Sequence, residues 1–274
     1  MAMNPKKGLA FIATGADTVE HDHDLLGGLS GAGWWYNWSP TPSMTQEQSG
    51  GSLFVPMLWG DSENLWKILS DNYPPAYDGP ILFFNEPNHP DQADVLPVRA
   101  AEAFHRLRLQ YPLAQIVAPA CWDKSTQDTA TGEWSLDSAH WLLEWREAYY
   151  RLYRTYPDVF AYALHYYNDG LQPATACRRF YEWVQKYDPR PGIKVILTEW
   201  RLCNEMWDRV ANYDLAAHFR KQVREMESFD WLWGWAYFAN AECPDDPYVS
   251  NADCHIALKD KGRLTSLGLV YVSL

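Results

Sequence analysis

Two glutamates close runs of apolar residues, in Phe83-Phe84-Asn85-Glu86-Pro87-Asn88 and in Ile196-Leu197-Thr198-Glu199-Trp200. Glutamate is a poor strand residue, and its charge is costly to bury unless it is paired or hydrogen-bonded. Either one alone could cap a following helix, or pair with Arg201. Two of them, each delivered at the end of an apolar run, point to chemistry. Paired carboxyls can divide proton transfer and nucleophilic attack between them. Cleaving a glycosidic bond with retention needs two carboxyls about 5–5.5 Å apart. One protonates the leaving oxygen, and the other, ionised, attacks the anomeric carbon.

Strands must carry these carboxyls, and the sequence offers eight: residues 8–14, 33–38, 53–58, 81–85, 115–121, 159–167, 194–199 and 232–238. Their near-continuous hydrophobicity suits parallel strands covered on both faces. Helical stripes lie between the later ones. Leu65, Ile68 and Leu69 follow a cap at Asp61 or Ser62, and Ala100, Phe104, Leu107 and Tyr111 run up to Pro112. Leu142, Trp145, Tyr149, Leu152 and Tyr156 run up to Pro157, and Phe180, Trp183, Val184 and Tyr187 form the next stripe. Ala216, Phe219, Val223 and Met226 form the last. Connections 15–32 and 39–52 are rich in Gly, Ser and Thr and weakly helical.

This alternation fits a closed barrel or an open doubly wound sheet. An open sheet favours a phosphate-binding glycine loop after its first strand. Ala13-Thr14-Gly15-Ala16-Asp17 is not one, and no GxxxxGK[ST] exists. The expected fold is α/β: a single (β/α)8 TIM barrel over residues 1–274, its early helices shortened or irregular. Catalytic groups of such barrels sit at the C-terminal ends of the strands.

Composition narrows the partners. The net charge is −12 with no basic stripe, which argues against nucleic acid and anionic membrane surfaces. No apolar run approaches the roughly 18 residues of a membrane helix. The chain holds 15 Trp, 17 Tyr and 10 Phe, enough to fill a core and still offer flat faces to sugar rings. Neither a metal nor an organic cofactor is expected. His21 and His23 form an isolated HxH, and Cys121, Cys177, Cys203, Cys243 and Cys254 have no metal-like spacing. With five cysteines at least one thiol is free; Cys243–Cys254 is the best pairing if any forms, with two free thiols the alternative. Lys6-Lys7 and the apolar run after them superficially resemble a secretion leader, but the run is too short and reads better as a first strand. An extracellular, monomeric protein is expected, its leader not among these residues; the alternative is a cytoplasmic one.

The residues resemble clan A retaining β-glycosidases, and more closely glycoside hydrolase family 128. The resemblance rests on Trp34-Trp35-Tyr36-Asn37-Trp38-Ser39-Pro40, Phe54-Val55-Pro56-Met57-Leu58-Trp59, Phe84-Asn85-Glu86-Pro87-Asn88, His165-Tyr166-Tyr167 and Leu197-Thr198-Glu199-Trp200. The tail from Leu258 to Gly268 fits the closing strand–turn–helix of such barrels. The resemblance spans nearly the whole chain and implies a retaining hydrolase of β-1,3-glucan; endo action is the expectation, exo action the alternative. It makes Glu86 the acid/base, Glu199 the nucleophile and Asn85 the partner of the sugar 2-hydroxyl. Alternation along the sixth strand places His165 and Tyr167 on one face. Asn37 and Trp38 stand at the end of the second strand, and Trp235 is a candidate floor for the reactive sugar. Trp59, Trp122, Trp134 and Trp200 are candidate platforms for further sugars. The long segments 122–140 and 239–257 would bear on glucan length and on endo against exo action. The rivals are another clan A specificity (β-1,4-glucan or mannan), a non-catalytic glucan-binding barrel and a metal-dependent hydrolase.

Overall fold

A computed structural model describes residues 3–11, 25–26, 30–124, 137–167, 172–201, 215–238, 258–260, 263–264 and 266–274. In chain order its elements are β1 (Asn4–Ala10), β2 (Ala32–Tyr36), β3 (Leu53–Phe54), β4 (Met57–Leu58), α1 (Glu63–Asn72), β5 (Pro80–Phe83) and α2 (Pro97–Gln110). Then follow β6 (Gln115–Val117), α3 (Ser138–Tyr153), β7 (Ala161–Tyr166), α4 (Pro173–Tyr187), β8 (Lys194–Trp200), α5 (Leu215–Glu227), β9 (Leu232–Phe238), β10 (Lys259–Asp260), β11 (Arg263–Leu264) and α6 (Ser266–Ser273). They divide into two compact units. The first comprises Met1–Asn37, Ser43–Phe54 and Tyr166–Leu274; the second comprises Trp38–Pro42 and Val55–His165.

In the first unit the strands are parallel in the order β3-β2-β1-β9-β8. Here β1 begins four residues earlier than its apolar run suggests, because Lys7 is buried. Its ammonium donates to the carbonyls of Ser30 and Tyr271 and lies 4.3 Å from the centre of the Tyr271 ring. Burial lowers its pKa to about 8, against an opposing pull from Glu227. Alternation puts Trp34 and Tyr36 on one face of β2, their rings stacked at 6.2 Å. The Trp34 indole lies over Gly8 of β1 and Gly234 of β9, where an added Cβ would come within 2.3 and 2.7 Å of it. Glycine is what lets the ring approach the backbone. In the tail, the antiparallel pair β10–β11 is followed by α6.

On α4 the buried residues are Pro173, Ala174, Cys177 and Val184. Of the expected stripe only Val184 is therefore buried. Phe180 and Trp183 instead stack on each other at 5.7 Å on a half-exposed surface, and Tyr187 is exposed.

In the second unit the parallel order is β7-β6-β5-β4. All four residues of β5 are buried, as a strand covered on both sides requires. The run 53–58, expected as one strand, is two, β3 and β4. Pro56 lies between them, and proline has no N–H to give a ladder. Ser62 caps α1 by accepting from Leu65 N, while Asp61 accepts from Trp66 Nε1 at 3.0 Å. Asp137 caps α3, which ends at Arg154 in a left-handed conformation (φ 59°). Tyr156 lies beyond this end, and of the expected stripe Leu152 and Tyr156 are 44% and 46% exposed.

Cys121 and Cys177 are free and buried. Cys203, Cys243, Cys254, His21, His23 and Trp134 lie outside the described residues. Among the described residues no helix is long and apolar enough to cross a membrane.

Candidate active site

In the second unit, the chain leaves β5 through a strained turn. Phe84 and Glu86 both take left-handed backbone (φ 51° and 43°), a region side-chain-bearing residues rarely occupy. Such strain persists where surrounding bonds hold it, and it concentrates at functional sites. Here Phe84 N donates to Leu58 O (2.8 Å), Asn85 N to Trp59 O (2.9 Å) and Glu86 N to Ala120 O (2.7 Å). The turn is thus pinned from both flanking strands. It turns Glu86, 5% exposed, toward His165 on β7, which is fully buried. Glu86 Oε1 and His165 Nδ1 are 2.7 Å apart and share a hydrogen bond. Asn85 Nδ2 donates to Gln92 Oε1 at 3.0 Å. Its Oδ1 is buried and accepts no hydrogen bond among the described residues.

Asn88 anchors the segment after β6. Its Nδ2 donates to Trp122 O (2.9 Å), and its Oδ1 accepts from Trp122 N (2.7 Å). The half-buried Trp122 ring meets His89 edge-on at 5.5 Å. Next in sequence, both carboxyl oxygens of Asp123 are buried with no hydrogen-bond partner among the described residues. Burial raises its pKa; Lys124 and His165 oppose that shift, and Glu86 adds to it.

A carboxyl whose pKa is raised on folding favours the folded state while protonated, and that contribution is lost as pH rises through the raised value. Asp123→Asn cannot ionise. Its melting temperature should therefore exceed wild type at pH 7, and the difference should shrink below about pH 4, the ordinary aspartate range. Thermal melts from pH 3 to 8 check this; a difference that does not change with pH rules out charge as its cause.

In the first unit, Glu199 is the penultimate residue of β8 and 5% exposed. The Tyr36 hydroxyl lies 3.0 Å from both Glu199 Oε1 and Thr198 O, and the Tyr167 hydroxyl donates to Glu199 Oε2 at 2.5 Å. Each carboxylate oxygen therefore has a phenol donor. Tyr36 was not among the expected site residues, although alternation in β2 places it on the face of Trp34. The expected face shared by His165 and Tyr167 resolves into two separate partnerships, His165 with Glu86 and Tyr167 with Glu199.

Hydrogen bonds to charged groups contribute about 1.5–3 kcal/mol. Tyr167→Phe should lower kcat/KM by roughly 10- to 100-fold with little change in melting temperature. A change within twofold would remove Tyr167 from the machinery.

Two expected sugar platforms are core residues. Trp200 is fully buried against Phe219 (5.2 Å), Tyr237 (5.1 Å) and Trp235 (6.4 Å). As the strand neighbour of Glu199 it points to the opposite face, which α5 covers. Trp235 is also fully buried; its Nε1 donates to Glu227 Oε1 at 2.7 Å, and its ring meets Tyr271 at 6.2 Å. Asn37 and Trp38, just after β2, and Trp59, just after β4, are half-buried, and Trp38 has φ 55°. Within either unit alone, no three described His, Cys, Asp or Glu side chains converge as metal ligands do.

Buried carboxyls held at the ends of parallel, helix-covered strands are the equipment of enzymes that cleave glycosides. The chain belongs to the glycosyl hydrolase catalytic core family, whose model matches residues 8–271, and it is a glycoside hydrolase. Its fold is similar to that of a family 128 (subgroup II) endo-β-1,3-glucanase from Pseudomonas viridiflava: 24% identity, TM-score 0.70, covering 100% of this chain and 99% of that one. It is similar to a subgroup III curdlan-specific exo-β-1,3-glucanase from Blastomyces gilchristii, in complex with glucose: 21% identity, TM-score 0.66, covering 99% and 100%. A third likeness is to a subgroup I endo-β-1,3-glucanase from Amycolatopsis mediterranei in complex with laminaritriose: 21% identity, TM-score 0.64, covering 98% and 99%. Comparison with curated protein sequences returns no match.

Proposed function

We propose that the protein is an endo-acting β-1,3-glucanase that retains anomeric configuration, with residues 1–274 forming one (β/α)8 barrel. The observation that carries this reading is the pair of buried carboxyls, one held by His165 and one by two tyrosines, in a chain similar over its full length to β-1,3-glucanases. Glu86 protonates the glycosidic oxygen as Glu199 attacks the anomeric carbon. The leaving chain departs, and the sugar stays bonded to Glu199 Oε. Glu86, now ionised, takes a proton from water, whose oxygen displaces Glu199 and restores both carboxyls.

His165 orients Glu86 throughout, and Tyr36 and Tyr167 hold the attacking carboxylate. The unused acceptor of Asn85 suits the hydroxyl at carbon 2, whose hydrogen bond strengthens in the transition state. No metal takes part. We place the enzyme outside the cell, because its polymeric substrate cannot cross a membrane.

Hydrolysis of laminarin, curdlan, lichenan and cellulose, compared side by side without added metal and then with EDTA, tests the reading. β-1,3-Glucans should be cleaved first, with release of the β-anomer and a fast loss of viscosity per new reducing end. Preference for cellulose, an α-anomeric first product or EDTA inhibition would overturn it, and glucose as the sole early product would overturn endo action.

A further inference from the structure

The second unit carries a cleft of about 480 Å³, within the roughly 300–1,000 Å³ of ordinary ligand pockets. Trp59, Asp61, Asp94, Val95, Leu96 and Arg99 line it. Trp59 is half-buried, as a ring with one face available would be. Asp61 is fixed in place by Trp66 Nε1 (3.0 Å) and Arg99 (2.9 Å). Asp94 is exposed, holds a left-handed backbone (φ 45°), and makes no hydrogen bond or ion pair among the described residues. The cleft thus combines an apolar face, a partly used ion pair and an unused acceptor. Two carboxylates against one guanidinium, itself also held by Glu102, disfavour an anion, and the fixed donors and acceptors suit a neutral ligand bearing many hydroxyls.

The cleft is tied to the proton donor. Trp59 O accepts from Asn85 N, the residue before Glu86. The loop that forms its far wall returns to the same turn, through Gln92 to Asn85, Ala93 N to Asn85 O (3.2 Å) and Val95 N to Pro87 O (2.9 Å). A proton donor touches the oxygen that departs with the leaving chain, and this cleft is built onto the donor's own turn.

We propose that this cleft is an outer subsite seating a glucosyl unit of the leaving portion. Trp59 supports the ring, and Asp94 with the Arg99–Asp61 pair engages its hydroxyls. The inference rests on the glucanase reading and specifies how that enzyme measures chain length.

The test is kcat/KM on laminaritriose through laminarihexaose for wild type, Trp59→Ala, Trp59→Tyr and Asp94→Ala. In wild type kcat/KM should climb with length. In Trp59→Ala the hexaose-to-triose ratio should fall about tenfold; Trp59→Tyr should recover most of it, and Asp94→Ala should lower it about threefold. Asp94 is exposed on a loop, so its variant carries the test even if Trp59→Ala fails to fold. An unchanged ratio in Asp94→Ala and in any Trp59→Ala that folds would overturn the subsite. If wild type cleaves another β-glucan and no β-1,3-glucan, the glucanase reading fails, and the same ratio read on that polymer's oligosaccharides still decides the cleft.

Discussion

Glu199→Gln is expected to abolish turnover of polymeric glucan, by about 10⁴-fold or more in kcat, while the folded protein still binds oligosaccharide. An amide lacks the charge needed to attack an anomeric carbon, so the covalent intermediate never forms. The substitution keeps the shape of the side chain. Its oxygen can still accept from one phenol, and the other hydroxyl can rotate to accept from the amide, so neither Tyr36 nor Tyr167 is left with a buried orphan. Melting temperature should therefore stay near wild type, and calorimetric titration with laminarihexaose should still show binding. Activity within tenfold of wild type would remove Glu199 from its role. A variant that is inactive but also unfolded says nothing of role, and Glu199→Asp, which keeps the charge but withdraws it, then provides the comparison.

Glu86→Ala separates the two carboxyls by what each gives to the reaction. Its polymer turnover should fall by about two to four orders of magnitude, the usual worth of a proton-transfer catalyst. The deficit should nearly vanish in the first step with an aryl laminari-oligosaccharide whose phenol is acidic, because such a leaving group needs little protonation. Glu199 then forms the glycosyl-enzyme, and the reaction stalls for want of a base to activate water. A burst of phenol equal to the enzyme concentration, followed by slow turnover, is the expected trace. Azide needs no base, so it should restore turnover and yield the β-glycosyl azide. Glu199→Ala under the same treatment should give the α-azide, since azide would then enter from the side that the missing carboxylate occupied. Azides of the opposite configurations would reverse the two roles.

Both carboxyls were legible in the sequence because an apolar run ending in glutamate is rare without a reason, and the strand register delivers each to a strand end. Their partners were less legible. Tyr36 stands 163 residues from Glu199, and no periodicity within β2 announces which distant group its hydroxyl will meet. Trp200 shows the opposite error. It is a candidate sugar platform by sequence, yet as the strand neighbour of Glu199 its side chain goes to the opposite face and is fully buried. The split of 53–58 is written in Pro56, which the hydrophobicity of the run conceals. On α4, a helix of mixed polarity, large aromatics marked one stripe while small residues, Ala174 and Cys177, made the buried one.

The seating of Trp34 over Gly8 and Gly234 has a consequence for how such sequences change through descent. The indole lies beneath Tyr36, and Tyr36 reaches Glu199, so the three positions are bound to one catalytic distance. A methyl group added at Gly8 would strike the ring, and a smaller ring would leave a hollow under Tyr36. Neither strand can drift alone. Among relatives, alanine or serine at position 8 or 234 should appear only where position 34 has given up its tryptophan, so that three residues spread over more than two hundred positions of chain are inherited as one character.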